Sequence, residues 1–112
     1  PLLKASPDAS VIMTGSSVGR KARAFWGAYA LSKFGIEGLT QLFADELKNT
    51  SNVRVNCVNP GATRTSMRAS AYPGENPESV KTPESITHHY VHLLSEAARG
   101  ITGQSIDLTA KS

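Results

Sequence analysis

Apolar and polar positions along the chain change their period several times. Ser10-Val11-Ile12-Met13-Thr14 is a short apolar and β-branched run that stops at Gly15, which predicts a buried strand. A polar, basic stretch over residues 16–23, with Gly19 inside it, comes next. From about residue 26 to 48, Leu31, Phe34, Ile36, Leu39, Leu42, Phe43 and Leu47 recur at three- and four-residue intervals and predict a long helix. Polar Asn49-Thr50-Ser51-Asn52 ends it. Val53-Arg54-Val55-Asn56-Cys57-Val58 then predicts a second strand, closed by the turn Asn59-Pro60-Gly61. Residues 62–83 read as a loop rich in Thr, Ser, Gly and Pro, and a loop of that length is uncommon unless it covers a site or is disordered. Pro83 and Glu84 suit the first turn of a helix capped by Thr82, continuing through Ile86, Tyr90, Leu93 and Leu94 to about Ala98. Gly100 stops it, and Ser105-Ile106-Asp107-Leu108 predicts a short last strand.

Strands alternating with helices imply βαβ crossovers and a parallel sheet, hence the α/β class. Three strands make a small sheet, and the helix over 26–48 is apolar around much of its circumference, so it expects partners on two sides. Pro1-Leu2-Leu3-Lys4 resembles the tail of a preceding helix. The expectation is a single partial domain over 1–112, belonging to a larger fold.

Composition narrows the classes. The 112 residues suffice for one small domain, and 39% hydrophobic content suits a globular one. No apolar run approaches the roughly 20 residues that span a bilayer, and nothing at the start reads as a signal peptide, so no membrane partner is expected. A single cysteine, Cys57, lies in a Val-rich run; it reads as a buried structural thiol in a reducing compartment, and the cytoplasm is the expected location. The net charge is +3, with Arg20, Lys21 and Arg23 the densest basic group. Without interleaved aromatics or a nucleic-acid motif, these charges are expected to be a solvated loop, and no nucleic-acid partner is expected.

Three polar features carry candidate chemistry. Tyr29 and Lys33, four apart on the predicted helix, share a face about 6 Å apart along the axis. A phenol, ordinarily titrating near 10, is a poor acid or base at neutral pH, but a nearby ammonium group stabilises the phenolate and readies it for proton exchange with an alcohol or carbonyl. Taken alone the pair equally suits a surface contact. Ser16 stands at the C-terminal end of the first strand, where open α/β sheets place their sites; a substrate hydrogen bond and a plain turn are both open to it. The second strand ends in Asn59-Pro60-Gly61-Ala62-Thr63-Arg64-Thr65, where Gly61 permits close backbone approach and Thr65 offers a hydroxyl suited to a carboxamide. In a parallel sheet all three open onto one edge.

The spacing Ser16-x-x-Gly19, the thirteen residues from Ser16 to Tyr29, and Tyr29-x-x-x-Lys33 together resemble the active-site signature of short-chain dehydrogenases/reductases. Asn59-Pro60-Gly61-x-x-x-Thr65 resembles their nicotinamide-side motif, and Ile101-Thr102-Gly103-Gln104 the run into their last strand. The stretches from Gly27 through Phe34 and from Asn59 through Thr65 are similar, more narrowly, to the YciK-type bacterial oxidoreductases. The resemblance implies the C-terminal, catalytic part of a Rossmann-type doubly wound sheet, using NAD or NADP on a carbonyl or alcohol substrate. By it, Tyr29 would be the general acid in carbonyl reduction, Ser16 would hydrogen-bond the substrate oxygen, and Lys33 would stabilise the phenolate and hold the nicotinamide ribose hydroxyls. Pro60 and Gly61 would shape the cofactor turn, while Thr65, with the backbone near Thr63, would bind the carboxamide. The long helix would pack against a partner subunit in a homodimer or homotetramer.

Two lookalikes fail. Thr14-Gly15-Ser-Ser-Val-Gly19-Arg20-Lys21 resembles the family's own cofactor loop, but Lys21 stands where its third glycine is needed. His88, His89 and His92 invite a zinc reading, yet His89 occupies the place of the glutamate that motif requires and no further ligand set is evident, so a solvated or lid-lining helix and no metal are expected. Met67, Tyr72 and Tyr90 suit either an apolar pocket or ordinary packing. The glycine-rich phosphate loop, the residue selecting NAD or NADP and the family's relay asparagine have no counterpart in this stretch, so the chain by itself is expected to be inactive. The alternative is a non-catalytic module that assembles through its long helix.

Overall fold

The first strand begins one residue before the predicted run and sets the register for the sheet. In the computed structural model, which describes residues 1–108, a short helix α1 (Leu2–Ala5) precedes β1 (Ala9–Thr14), and the long helix α2 (Gly27–Leu47) leads to β2 (Val53–Asn59). Then come α3 (Ser66–Ala71), α4 (Thr87–Leu94) and β3 (Ser105–Asp107). Residues 109–112, the end of the partial domain expected over 1–112, lie outside the described residues.

The sheet runs β1-β2-β3, all parallel, with Thr14 opposite Val58 and Asn59 opposite Asp107. This register brings all three C-terminal strand ends to one edge. Every residue of β2 is buried, because both faces of the central strand are covered. Val53 and Val55 pack with Ala9 and Ala44 beneath α2. On the other face Val58 packs with Ile86, Leu93, Ala98 and Leu108 beneath α4. This is the expected doubly wound α/β arrangement. Polar residues of β2 are satisfied across the crossover: Asn56 donates to the Ile101 carbonyl at 2.8 Å and accepts from the Gln104 amide at 3.0 Å.

Two expected elements are redrawn. The loop over 62–83 contains α3, capped by Thr65 Oγ1 accepting from the Arg68 amide at 3.1 Å, and a 3₁₀ turn at Pro77–Ser79. Six residues without an apolar stripe carry no helical period to detect. The helix expected over 83–98 is instead a 3₁₀ turn (Pro83–Ile86), α4 and a second 3₁₀ turn (Glu96–Ala98), and Thr82 makes no side-chain cap.

The sheet buries only Ala30, Thr40 and Ala44 of α2. Leu31, Phe34, Leu39, Leu42 and Phe43 remain exposed, from 38% at Phe43 to 76% at Leu31. The broad apolar circumference thus has a partner on one side. Among the described residues, no helix is long and apolar enough to cross a membrane.

Candidate active site

The end of β1 is shaped by two glycines that leave no room for a side chain. Gly15 donates its amide to the Val58 carbonyl at 2.7 Å, and a Cβ there would lie 2.6 Å from Cys57 Sγ. Burial, with Glu37 beside it, pushes the Cys57 thiol up to about 11, as suits the structural role expected of it. Ser16 caps the 3₁₀ turn Ser17–Gly19, accepting from the Val18 amide at 3.3 Å, which leaves its hydroxyl proton available. A Cβ on Gly19 would meet the Lys33 carbonyl oxygen at 2.7 Å, so this turn sits directly on the backbone of α2. Gly19→Ala is therefore expected to destabilise the fold by about 2 kcal/mol, since neither backbone can yield cheaply, with a matching drop in the denaturant midpoint.

Tyr29 lies in the first turn of α2, and Lys33 Nζ lies 5.6 Å from its ring centroid. Lys33 donates to the Thr14 carbonyl at 3.1 Å, which orients the ammonium towards the end of β1. At the end of β2, Asn59 Oδ1 accepts from the Gly61 amide at 3.1 Å, and Gly61 has φ 75°, a conformation glycine takes freely. Thr63 donates to the Gly61 carbonyl at 3.1 Å.

The cleft at this edge has a volume of about 1140 Å³. Ser16, Tyr29 and Lys33 line it on one side, and Pro60, Gly61, Thr63 and Thr65 on the other. Met67, Tyr72 and Tyr90 also line it, and Tyr90 pairs its hydroxyl with that of Thr14 at 3.3 Å.

Arg20 is exposed, as expected of this loop, but it is also ion-paired. Its guanidinium donates to both carboxylate oxygens of Asp107, at 2.8 and 3.0 Å, and to Ser105 Oγ at 2.8 Å, with Glu37 at 3.5 Å. Asp107 also accepts from Asn59 Nδ2 at 3.1 Å. One carboxylate thus ties the turn carrying Ser16 to the turn carrying Gly61. The Arg20 hydrogen bonds hold the Asp107 carboxyl below its ordinary value, so this contribution is complete above the unfolded value of 3.8 and is lost as pH falls through the lower folded value. Lys21 and Arg23 are exposed, as expected. No local pattern betrays a pairing between residues 87 positions apart.

With this geometry in place, comparison with known proteins is decisive. Residues 1–76 match the short chain dehydrogenase family. The chain belongs to that family. It is 51% identical over 107 residues to the uncharacterized oxidoreductase YciK of Escherichia coli K12, covering 96% of this chain and 42% of YciK. The short-chain dehydrogenase crystal structure from Salmonella enterica serovar Typhi CT18 superposes with a TM-score of 0.91 at 54% identity, covering 96% of this chain and 44% of that one. A short-chain dehydrogenase from Escherichia coli CFT073, crystallised with NADPH, superposes with a TM-score of 0.90 at 51% identity, again over 96% of this chain and 44% of that one. The chain therefore spans less than half the length of these short-chain dehydrogenases, and their Rossmann-type fold is the one it shares.

Proposed function

We propose that this chain is the catalytic part of a nicotinamide-dependent oxidoreductase that interconverts a carbonyl compound and its alcohol. The observation carrying this reading is the convergence of Ser16, Tyr29 and Lys33 with the 59–65 turn on one cleft. In the reducing direction the Tyr29 hydroxyl gives its proton to the substrate oxygen, Ser16 donates a hydrogen bond to that oxygen, and Lys33 stabilises the phenolate left behind. The residues fit the nicotinamide end of NAD or NADP. Lys33 gives one hydrogen bond to Thr14 and keeps further protons for ribose hydroxyls, while Thr65 uses a lone pair for its cap and keeps its proton for a carboxamide oxygen. Pro60, Gly61 and the backbone near Thr63 complete that wall. The cofactor, when bound, supplies or accepts the hydride. The NADPH held by the similar Escherichia coli CFT073 enzyme supports the assignment.

The cofactor's pyrophosphate requires a glycine-rich loop that residues 14–21 do not provide, Lys21 standing at the third glycine position. The test pairs two preparations assayed with NADPH and NADH against a panel of aldehydes and ketones. The protein from its full reading frame is expected to turn over some of them and residues 1–112 alone none. Turnover by the 112-residue chain would overturn only its expected inactivity, whereas no turnover by the full-length protein would remove the oxidoreductase reading.

The exposed Leu31, Phe34 and Leu42 of α2 favour a second role, assembly of the full-length protein into a homodimer or homotetramer. Leu42→Glu is expected to shift sedimentation to smaller species. An unchanged sedimentation coefficient would remove the assembly role from this face.

A further inference from the structure

The rings beside Tyr29 form a ladder along the cleft. The Arg68 guanidinium lies 3.8 Å from the Tyr72 ring centroid, Tyr72 lies 6.2 Å from Trp26, and Trp26 meets Tyr29 edge-on at 5.6 Å. These separations fall in the range where aromatic pairs attract. Arg68 donates to both oxygens of Glu75, at 2.9 and 2.8 Å, so the cation at the end of the ladder is already neutralised. Backbone bonds from the Tyr72 amide to the Arg68 carbonyl (2.9 Å) and from the Glu75 amide to the Tyr72 carbonyl (3.0 Å) fix this end in place. An apolar, ring-faced surface is thus built beside the Tyr29 ring.

Phe25 adds an independent observation. It lines the same cleft, is fully exposed, and has φ 70°, the one non-glycine residue at positive φ among those described. It occupies the third position of a turn closed by the Trp26 amide donating to the Arg23 carbonyl at 3.3 Å, a place that ordinarily selects glycine or asparagine. A bulky side chain there is strained, and leaving a phenyl ring in water forgoes its burial. Strain and exposure together at a cleft rim point to a ligand contact.

We infer that Phe25, Trp26 and Tyr72 form the substrate wall, and that the substrate is a ketone with a flat apolar ring beside its carbonyl, or the matching secondary alcohol. This rests on the oxidoreductase reading of Tyr29. The ring lies against Trp26 and Tyr72 with Phe25 over it, and the carbonyl oxygen reaches Tyr29. Met67, exposed on the same cleft, supplies an adaptable thioether surface. In reduction the carbonyl carbon gains hydride from the nicotinamide cofactor and the oxygen gains the Tyr29 proton. The C=O π bond is replaced by C–H and O–H bonds, the ketone is reduced, the cofactor is oxidised, and water reprotonates Tyr29.

The test titrates the full-length protein with α-tetralone and with a linear ketone of equal carbon count, reading Trp26 fluorescence as the difference from Trp26→Phe, alongside kcat/KM with the cofactor. Saturable quenching by α-tetralone and a kcat/KM preference for the ring are expected. Phe25→Ala, which removes an exposed ring and keeps the Cβ that the turn already carries, is expected to lower that preference about tenfold. Equal or better binding and turnover of the linear ketone, or a preference untouched by Phe25→Ala, overturns the inference while leaving the oxidoreductase reading standing. Quenching by α-tetralone without turnover of any carbonyl keeps the ring-binding wall and removes the oxidoreductase reading instead.

Discussion

Tyr29→Phe in the full-length protein is expected to lower kcat by about two to four orders of magnitude, the contribution typical of a positioned proton donor. The substitution deletes one oxygen and keeps the ring, so the edge-on contact with Trp26 at 5.6 Å and the Lys33 ammonium at 5.6 Å both remain. KM for the carbonyl substrate is accordingly expected to change only a few-fold, and the thermal midpoint to stay within a degree or so of the parent, because the hydroxyl is not part of the buried core. A loss confined to kcat separates proton transfer from packing. Turnover within tenfold of the parent would show that another group moves the proton, with Ser16 the next candidate. The assembly reading predicts no effect on sedimentation, since Tyr29 is not among the exposed apolar residues of α2.

Arg54→Ala is expected to cost about 3 kcal/mol of stability, the largest loss from a single side chain here. The Arg54 side chain is only 7% exposed, yet it carries a full charge in the central strand. It donates to Asp8 Oδ1 at 3.1 Å and to the carbonyls of Leu93 and Ser95 at 3.0 and 3.3 Å, so it binds the entry to β1 and the end of α4 to β2. Truncation leaves those acceptors short of a donor inside the protein. The cost sits at the low end for a broken buried pair for two reasons. Arg99 Nε remains 3.7 Å from Asp8, and the Ser10 hydroxyl still donates to the Leu93 carbonyl at 3.0 Å. Urea unfolding measures this directly; a loss below about 1 kcal/mol would mean that Arg99 at Asp8 and Ser10 at the Leu93 carbonyl make up for most of it. Arg54→Met, which fills the volume without a charge, is expected to cost less than Arg54→Ala.

The elements legible in the sequence are those whose signal is local. The β-branched runs at 10–14 and 53–58, and the three- and four-residue spacing from Leu31 to Leu47, each appear within a few residues of the predicted bounds. α3 was hidden because it is short, carries no apolar stripe and rests on a cap supplied by Thr65, a residue read for its hydroxyl and not for its capping. α4 is shorter than its pattern, because Pro83 and Gly100 bracket a stretch that splits into 3₁₀ and α-helical turns.

The candidate site divides in the same way. Ser16, Tyr29, Lys33 and the 59–65 turn were legible because their chemistry lies in spacing along one helix and at the ends of two strands. The joint effect of Gly19 on the Lys33 backbone, and of Asp107 between Arg20 and Asn59, was not legible. Both depend on contacts between distant segments.

Sequence alone determined the alternation of strand and helix, the parallel class that follows from it, and the set of polar groups delivered to one sheet edge. Tertiary structure decided that Arg20 pairs with Asp107, that Phe25 stands exposed at φ 70° beside Trp26, and that α2 keeps an open apolar face. The physical reason is range. Hydrophobic period and capping act over a few residues, whereas the Asn59–Asp107 register results from burying both faces of β2 at once, a sum over the whole chain that no local window contains.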